Sequence, residues 1–293
     1  MQSKFVTQLN TIAMKRKILV PTDFSETSIN AFKFAIKMFE KEPCNFYLLN
    51  AFSVKNFTLD NLMVPEPGEK NYDHASTKSK YSLDKILKDL DSNYKFENHA
   101  YHTISKFTTP LEAIKFVIEE MDIEMVIMGT NGANEAKDRI YGSNTVITME
   151  KITNCPVLAI PLHAKSPPNK EIVFVTDFKI PYKKSELHYL TDIIHKRNIS
   201  LRILHVNNDI PLNKKQQHNK ERLPEYLEGI DYSFHTVKGK DIAEAVHLFV
   251  EKRNSDLIVF INRKDSLLKR IFSFSMAKEL GSYSKIPVMA LHD

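Results

Sequence analysis

The sequence predicts an α/β protein whose parallel sheet is covered by helices on both faces, and it predicts this unit twice along one chain. Three observations lead there. Short apolar runs, dense enough to be buried on both sides, alternate with segments of helical spacing, which is the pattern of a parallel sheet. Five segments, four strand-like and one a helix start, recur in the same order in the second half. The 293 residues, 42% hydrophobic and 26% charged, leave room for two globular domains of ordinary size.

Taken in order, residues 1–14 are polar, lack the apolar core of a signal peptide and are expected to form a flexible tail. Lys17–Pro21 is a short strand that ends in Pro21-Thr22-Asp23-Phe24-Ser25. Ser25–Lys41 has helical spacing through Ile29, Phe32, Ala35, Ile36 and Phe39, with Asp23 or Ser25 as its cap and Pro43 as its stop. Phe46–Phe52 is a second buried strand. Residues 53–75, with Pro65, Pro67 and Gly68, read as an exposed loop. Ser76–Leu90 is a helix with Leu83, Ile86, Leu87 and Leu90 on one face, and Tyr94–Ile104 is a polar strand suited to a sheet edge. Thr109-Pro110 opens a helix with proline at the favoured first position. Its buried side is Leu111, Ile114, Val117, Ile118 and Met121. Strand Ile123–Met128, helix Ser143–Thr153 and strand Pro156–Pro161 complete the unit.

Between the last two of those strands lies Met128–Thr145, MGTNGANEAKDRIYGSNT. Gly129 and Gly132 are three positions apart, and nine residues separate Gly132 from Gly142. A glycine lets a backbone approach a ligand closely, and a helix start offers unpaired N–H groups with the positive end of the helix dipole. Spacing alone leaves two readings open: a phosphate site, or a strand-to-helix connection capped by Ser143 or Thr145. Ligands of such sheets sit at the carboxyl ends of strands, so Pro21-Thr22-Asp23 meets this loop only if the first and fourth strands are neighbours.

Residues 163–170 are a polar, proline-bearing linker. After it, Glu171–Phe178 echoes Lys17–Phe24, Ile199–His205 echoes Phe46–Asn50, and Lys240–Val246 echoes Thr109–Ile114. Asp256–Ile261 repeats the strand before the glycine loop, and Ile286–Leu291 repeats Cys155–Ile160. The expected division is a first domain over 15–162 and a second over 171–293. The second copy keeps the strand and helix of the loop region and loses every glycine, which assigns the first copy's glycines to a ligand rather than to the chain path.

On these motifs the chain resembles a tandem member of the universal stress protein family. Gly129-x-x-Gly132, nine residues, then Gly142-Ser143 is the pattern of its ATP-binding members. The resemblance implies two Rossmann-like domains of the adenine nucleotide α-hydrolase type. Each is a five-stranded parallel sheet with its first and fourth strands adjacent. It implies that Pro21, Thr22 and Asp23 flank adenine and ribose, with Ala51 and Met128 beside the nucleoside. Backbone N–H groups around Gly129, Asn131 and Gly132 would meet ribose and phosphate, and Gly142, Ser143, Asn144 and Thr145 would bind phosphates. Mg²⁺ would bridge the phosphates without protein ligands. Asn144 departs from the apolar residue common there but keeps its N–H. Lys137 and Arg139 are either phosphate contacts or exposed loop charges. The last strands, Val157–Ile160 and Val288–Leu291, would pair within one chain or between two chains of a homodimer.

In the second copy Ile261, Lys264 and Phe274 replace the glycines, while Asp177 and Ser275 survive. That copy is not expected to bind ATP in the family manner. Arg263, Lys264, Lys269 and Arg270 make its loop basic, and residues 165–293 hold 22 basic and 16 acidic residues against 19 and 20 before them. An anionic or unidentified protein partner is one reading of that excess and a solvated surface is the other; a nucleic acid is not expected.

Several chemistries are absent from the sequence. There is no P-loop, GxGxxG or GxSxG motif, and no apolar run near ~18 residues for a membrane span. Cys44 and Cys155 have no metal spacing and fit a reducing cytoplasm. His99 and His102 should face opposite sides of a strand as surface residues, and Glu119, Glu120, Asp122 and Glu124 mark a solvated helix end. No base is placed to activate water, so no catalytic residue is assigned. The expectation is an ATP-dependent stress-response binding or signalling module. An ATP-hydrolysing enzyme and a nucleotide-free scaffold are its alternatives.

Overall fold

The computed structural model describes residues 15–53, 66–91, 94, 96–130, 142–164, 166–207, 209–263 and 285–292. The first half runs β1 (Arg16–Pro21), α1 (Glu26–Met38), β2 (Cys44–Phe52), α2 (Lys70–Asp91), β3 (His99–Phe107), α3 (Pro110–Met121), β4 (Met125–Gly129), α4 (Ser143–Lys151) and β5 (Val157–Ile160). The second half runs β6 (Glu171–Val175), α5 (Lys184–Arg197), β7 (Ser200–Asn207), α6 (Lys214–Arg222), a 3-10 turn over Leu223–Tyr226, β8 (Tyr232–Lys238), α7 (Ile242–Arg253), β9 (Leu257–Ile261) and β10 (Val288–Leu291).

The ten strands among the described residues form one sheet in the order β3-β2-β1-β4-β5-β10-β9-β6-β7-β8. Within each half every pairing is parallel, and β1 lies beside β4, with Ile18 opposite Met125. The halves join through their last strands, antiparallel, with Val288 opposite Ala159 and Ala290 opposite Val157. Pairing of the last strands therefore occurs inside one chain.

Alternation along the strands sorts the core to two faces. Ile18, Val20, Phe46 and Leu48 pack against α1 and α2, and Leu19, Leu49, Val126 and Met128 pack against α3 and α4. The first face continues into the second half through Leu187 and Leu190 of α5. Polar contacts close that seam. Arg16 pairs with Glu42 and with Asp192 of α5, Lys196 pairs with Glu42 at 2.6 Å, and the Arg197 guanidinium donates to Met38 O at 2.6 Å.

Local chemistry sets the boundaries and moves some expected ones. Ser25 caps α1 by accepting from the Ser28 N–H, and Thr109 caps α3 with Pro110 in its first turn. α2 begins at Lys70, six positions before the expected start; its first turns are mostly polar, and the one aromatic there, Tyr72, packs on Phe52 and Phe107, so no apolar period marks them. β3 starts at His99 rather than Tyr94, because the Tyr94 N–H still bonds back to Leu90 O at 2.7 Å. It is an edge strand. His99 is not a surface residue: it is 9% exposed, and its Nε2–H donates to Phe39 O at 3.0 Å beside the Phe46 ring. His102 stacks on Tyr47 instead. Among the described residues no helix is long and apolar enough to cross a membrane.

Candidate nucleotide site

The site is built from the turn after β1. Thr22 is buried, and its Oγ1 accepts the Phe24 N–H at 3.0 Å and pairs with Ser28 Oγ at 2.8 Å. That geometry places Phe24 at φ 68°, in the left-handed region. Asp23 Oδ1 accepts the N–H and the hydroxyl of Ser25, at 3.1 and 2.6 Å, which ties the exposed carboxylate to the start of α1. From below, the Asn50 amide donates to Thr22 O at 2.7 Å, Ser79 Oγ donates to Asn50 Oδ1 at 2.7 Å, and Ser79 also meets Ser105. A buried polar chain from β3 through α2 and β2 thus fixes the turn.

Opposite stands the end of β4. A Cβ on Gly129 would lie 2.9 Å from Thr27 Cγ2, 3.0 Å from Thr27 C and 3.1 Å from Ser28 N. Gly129 is therefore required by the close passage of α1, and its absence in the second copy reflects a different helix start rather than a lost ligand alone. Gly142 is the N-cap of α4 at φ −68°, a conformation open to any residue, and its N–H donates to Thr130 O at 2.6 Å. Thr145 is buried, and its hydroxyl donates to Gly129 O at 2.9 Å and Thr130 O at 3.0 Å. That proton is committed to pinning α4 to β4, so Thr145 contributes a wall of the site and not a phosphate-binding hydroxyl. Neither Ser143 nor Thr145 is the cap.

A cleft opens between these two ends. Pro21, Thr22, Asp23, Ala51, Met128, Gly129, Gly142, Asn144 and Thr145 all line it. Ser143 is the first residue of α4 and is not among the residues that line the cleft. Asn131, Gly132, Lys137 and Arg139 lie outside the described residues. Ser28, Leu49, Pro110 and Ile114 also line it and were missed. Leu49 and Ile114 belong to apolar stripes that mark them as core, and only the fold brings their ends to the cleft. The opening of α3 after Thr109-Pro110 was the one available signal for Pro110.

The second half repeats the turn. Thr176 Oγ1 accepts the Phe178 N–H at 3.2 Å, Phe178 has φ 56°, and Asp177 Oδ1 accepts the Lys179 N–H at 3.1 Å. His205 Nδ1–H donates to Thr176 O at 3.0 Å, the role that Asn50 has in the first half. The helix start differs: α1 begins at Glu26, directly after its turn, whereas α5 begins only at Lys184. That delay leaves room for Ile261 where Gly129 stands. Arg263 is not a free loop cation, since its guanidinium pairs with buried Glu186 and donates to Pro181 O at 2.9 Å. Lys264, Lys269, Arg270, Phe274 and Ser275 lie outside the described residues. A cavity of ≈ 260 Å³, against ≈ 100 Å³ in the first half, sits over β6 and β7 and takes no lining residue from β9.

Residues 14–161, about half of the chain, match the model of the universal stress protein family. The chain belongs to that family. Two universal stress proteins of Methanocaldococcus jannaschii are similar to half of it. One is 28% identical over 156 residues, covering 50% of this chain and 95% of the relative; the other is 26% identical over 145 residues, covering 50% and 81%. Across both halves, the fold is like that of a universal stress protein from Archaeoglobus fulgidus DSM 4304, with a TM-score of 0.65 at 18% identity over 94% of this chain and 96% of that one. A putative universal stress protein from Pseudomonas aeruginosa UCBPP-PA14 gives 0.57 at 14% identity over 97% and 95%.

In this universal stress protein both thiols are inert by environment. Burial pushes Cys44 and Cys155 up to about 12, so they stay protonated at neutral pH. Among the described residues no group of three metal-ligating side chains occurs. What the cleft offers is a carboxylate on a fixed turn, apolar walls at Leu49, Ala51 and Met128, and the first turn of a helix facing them.

Proposed function

We propose that the first half binds ATP in this cleft, and that the chain works as a nucleotide-dependent stress-response binding or signalling module with little or no turnover. One observation carries the reading: the Pro21-Thr22-Asp23 turn and the first turn of α4 face each other across one cleft. Adenine and ribose would lie against Asp23, Ala51 and Met128, and the phosphates would run toward Gly142, Ser143 and Asn144, where helix-start N–H groups favour negative charge. Gly129, Asn131 and Gly132 would pass close to the ribose and phosphates. Mg²⁺ would be held by phosphate oxygens and water. The domains are taken as 15–162 and 171–293, and the cytoplasm as the working compartment.

The second half is read as a partner domain without an ATP site. Among the described residues, its surviving Asp177 is bridged by Lys179 at 3.5 Å, and Arg263 is engaged by Glu186, so neither of these two cations is free to meet a phosphate. Native mass spectrometry of the purified chain with ATP and Mg²⁺ tests both statements. One nucleotide per chain is expected; none sinks the reading, and two overturn the assignment of the second half. ATP turnover above ~1 s⁻¹ would show an enzyme instead.

A further inference from the structure

α4 is a poor helix on its own. It has nine residues, and Thr145, Val146, Ile147 and Thr148 are four β-branched residues in succession. β-Branched side chains lose χ1 freedom in a helix, and helices well short of ~12 residues are marginal in water. Its order must come from tertiary contacts: Met149 is fully buried in the core beneath it, and polar anchors hold both ends. At the start, the Thr145 hydroxyl grips the carbonyls of Gly129 and Thr130. At the end, the anchor comes from the other half: Asn262 Nδ2 donates to Met149 O at 2.7 Å. Met149 O is one of the last four carbonyls of α4, which have no partner within a helix. Asn262 is itself fixed by the end of β9, where its N–H bonds to Leu291 O at 2.8 Å.

The contact is one-way in chemistry. The equivalent position of the first half is Thr130, whose N–H bonds to Ile160 O at 3.1 Å as Asn262 bonds to Leu291 O. Threonine has no amide to extend toward the other half. The crossing bond lies about 8 Å along the helix axis from Asn144, at ~1.5 Å per residue, so it acts on the same short rod that meets the cleft.

We propose that Asn262 is a positioning residue for the first half's nucleotide site, and that the second half orders the phosphate end of that site by holding α4 from behind. This rests on the ATP reading above. The test measures ATP and adenosine affinity by titration on the full chain, with amide hydrogen exchange across α4, for wild type, Asn262→Ala and the isosteric Asn262→Asp, which has no donor. Losing one hydrogen bond that orders the phosphate end should weaken ATP about tenfold in both variants. Adenosine affinity should stay within about twofold, and α4 amides should exchange faster. Global destabilisation would weaken both ligands alike, and that result overturns the proposal. So does ATP affinity unchanged in both variants. A wild-type chain that binds no ATP would instead remove the reading beneath it, a distinguishable failure.

Discussion

Gly129 and Gly142 are both glycines of one motif, yet different forces hold them. At Gly129 the obstruction is largely backbone of Thr27 and Ser28, which cannot rotate aside. Gly129→Ala should cost about 1–3 kcal/mol of stability by overpacking, seen as a lower urea midpoint, and should lower ATP affinity as a consequence. Gly142 has ordinary dihedrals and caps α4 without a side chain. Gly142→Val should leave the midpoint close to wild type while blocking phosphates, so ATP affinity falls at least tenfold. If affinity is unchanged, the phosphates do not pass there. Far from the cleft, Glu171 is 2% exposed. Burial alone would raise its pKa, but hydrogen bonds from Arg253, Ser255 and Arg202 outweigh that and pull it down to about 2. A depressed carboxylate stabilises the fold above its unfolded value of ~4.3, by about 3 kcal/mol at neutral pH, and that contribution is lost as pH falls toward 2. Glu171→Gln should therefore lower stability at pH 7 and flatten the loss between about pH 5 and 2 in denaturant titrations.

At the scale of elements, the turn after β1 was legible because the chain writes it twice. Pro21-Thr22-Asp23-Phe24 and Val175-Thr176-Asp177-Phe178 fold into the same left-handed corner with the same Thr-to-Phe bond. The strand order was not legible from periodicity, since adjacency of β1 and β4 is a long-range fact; it entered through the resemblance. Asn50, Ser79 and Ser105, which support the turn, were invisible for the same reason: nothing in sequence spacing joins positions so far apart. Comparing the two copies leaves out a second reason for Gly129, the close passage of α1, because α5 begins later than α1 and nothing in the spacing marks that difference. Thr145 shows the same limit. Its residue type suits a phosphate contact or a cap, and only the fold directs its hydroxyl to two carbonyls. Thr145→Val keeps the shape and removes the donor, so α4 should loosen by about 1–2 kcal/mol. The measurement is hydrogen exchange of the α4 amides, with Thr145→Ser expected to restore protection.

At the scale of the whole molecule, the two halves share structure that neither holds alone. β5 is a four-residue strand, fully buried, with β4 on one side and β10 on the other. Without the second half, Val157–Ile160 would become an exposed apolar edge, with unpaired N–H and C=O groups that invite pairing. The core face shared by α1 and α5 would be opened along with it. The antiparallel register across β5 and β10 is self-complementary in kind: two copies of β5 brought together by a two-fold axis would rebuild the same pairing between chains. A fragment of residues 1–164 should therefore not persist as a monomer, and light scattering after gel filtration should find a dimer. Arg16 and Glu42 would lose Asp192 and Lys196 in that fragment, so the seam should also be weaker than in the intact chain. Deleting a charge-assisted contact to the partner half would then loosen the whole chain without making it dimerise, because β10 still covers β5. A stable monomeric fragment would mean that β5 tolerates an open edge, and that the second half is not needed to close the sheet.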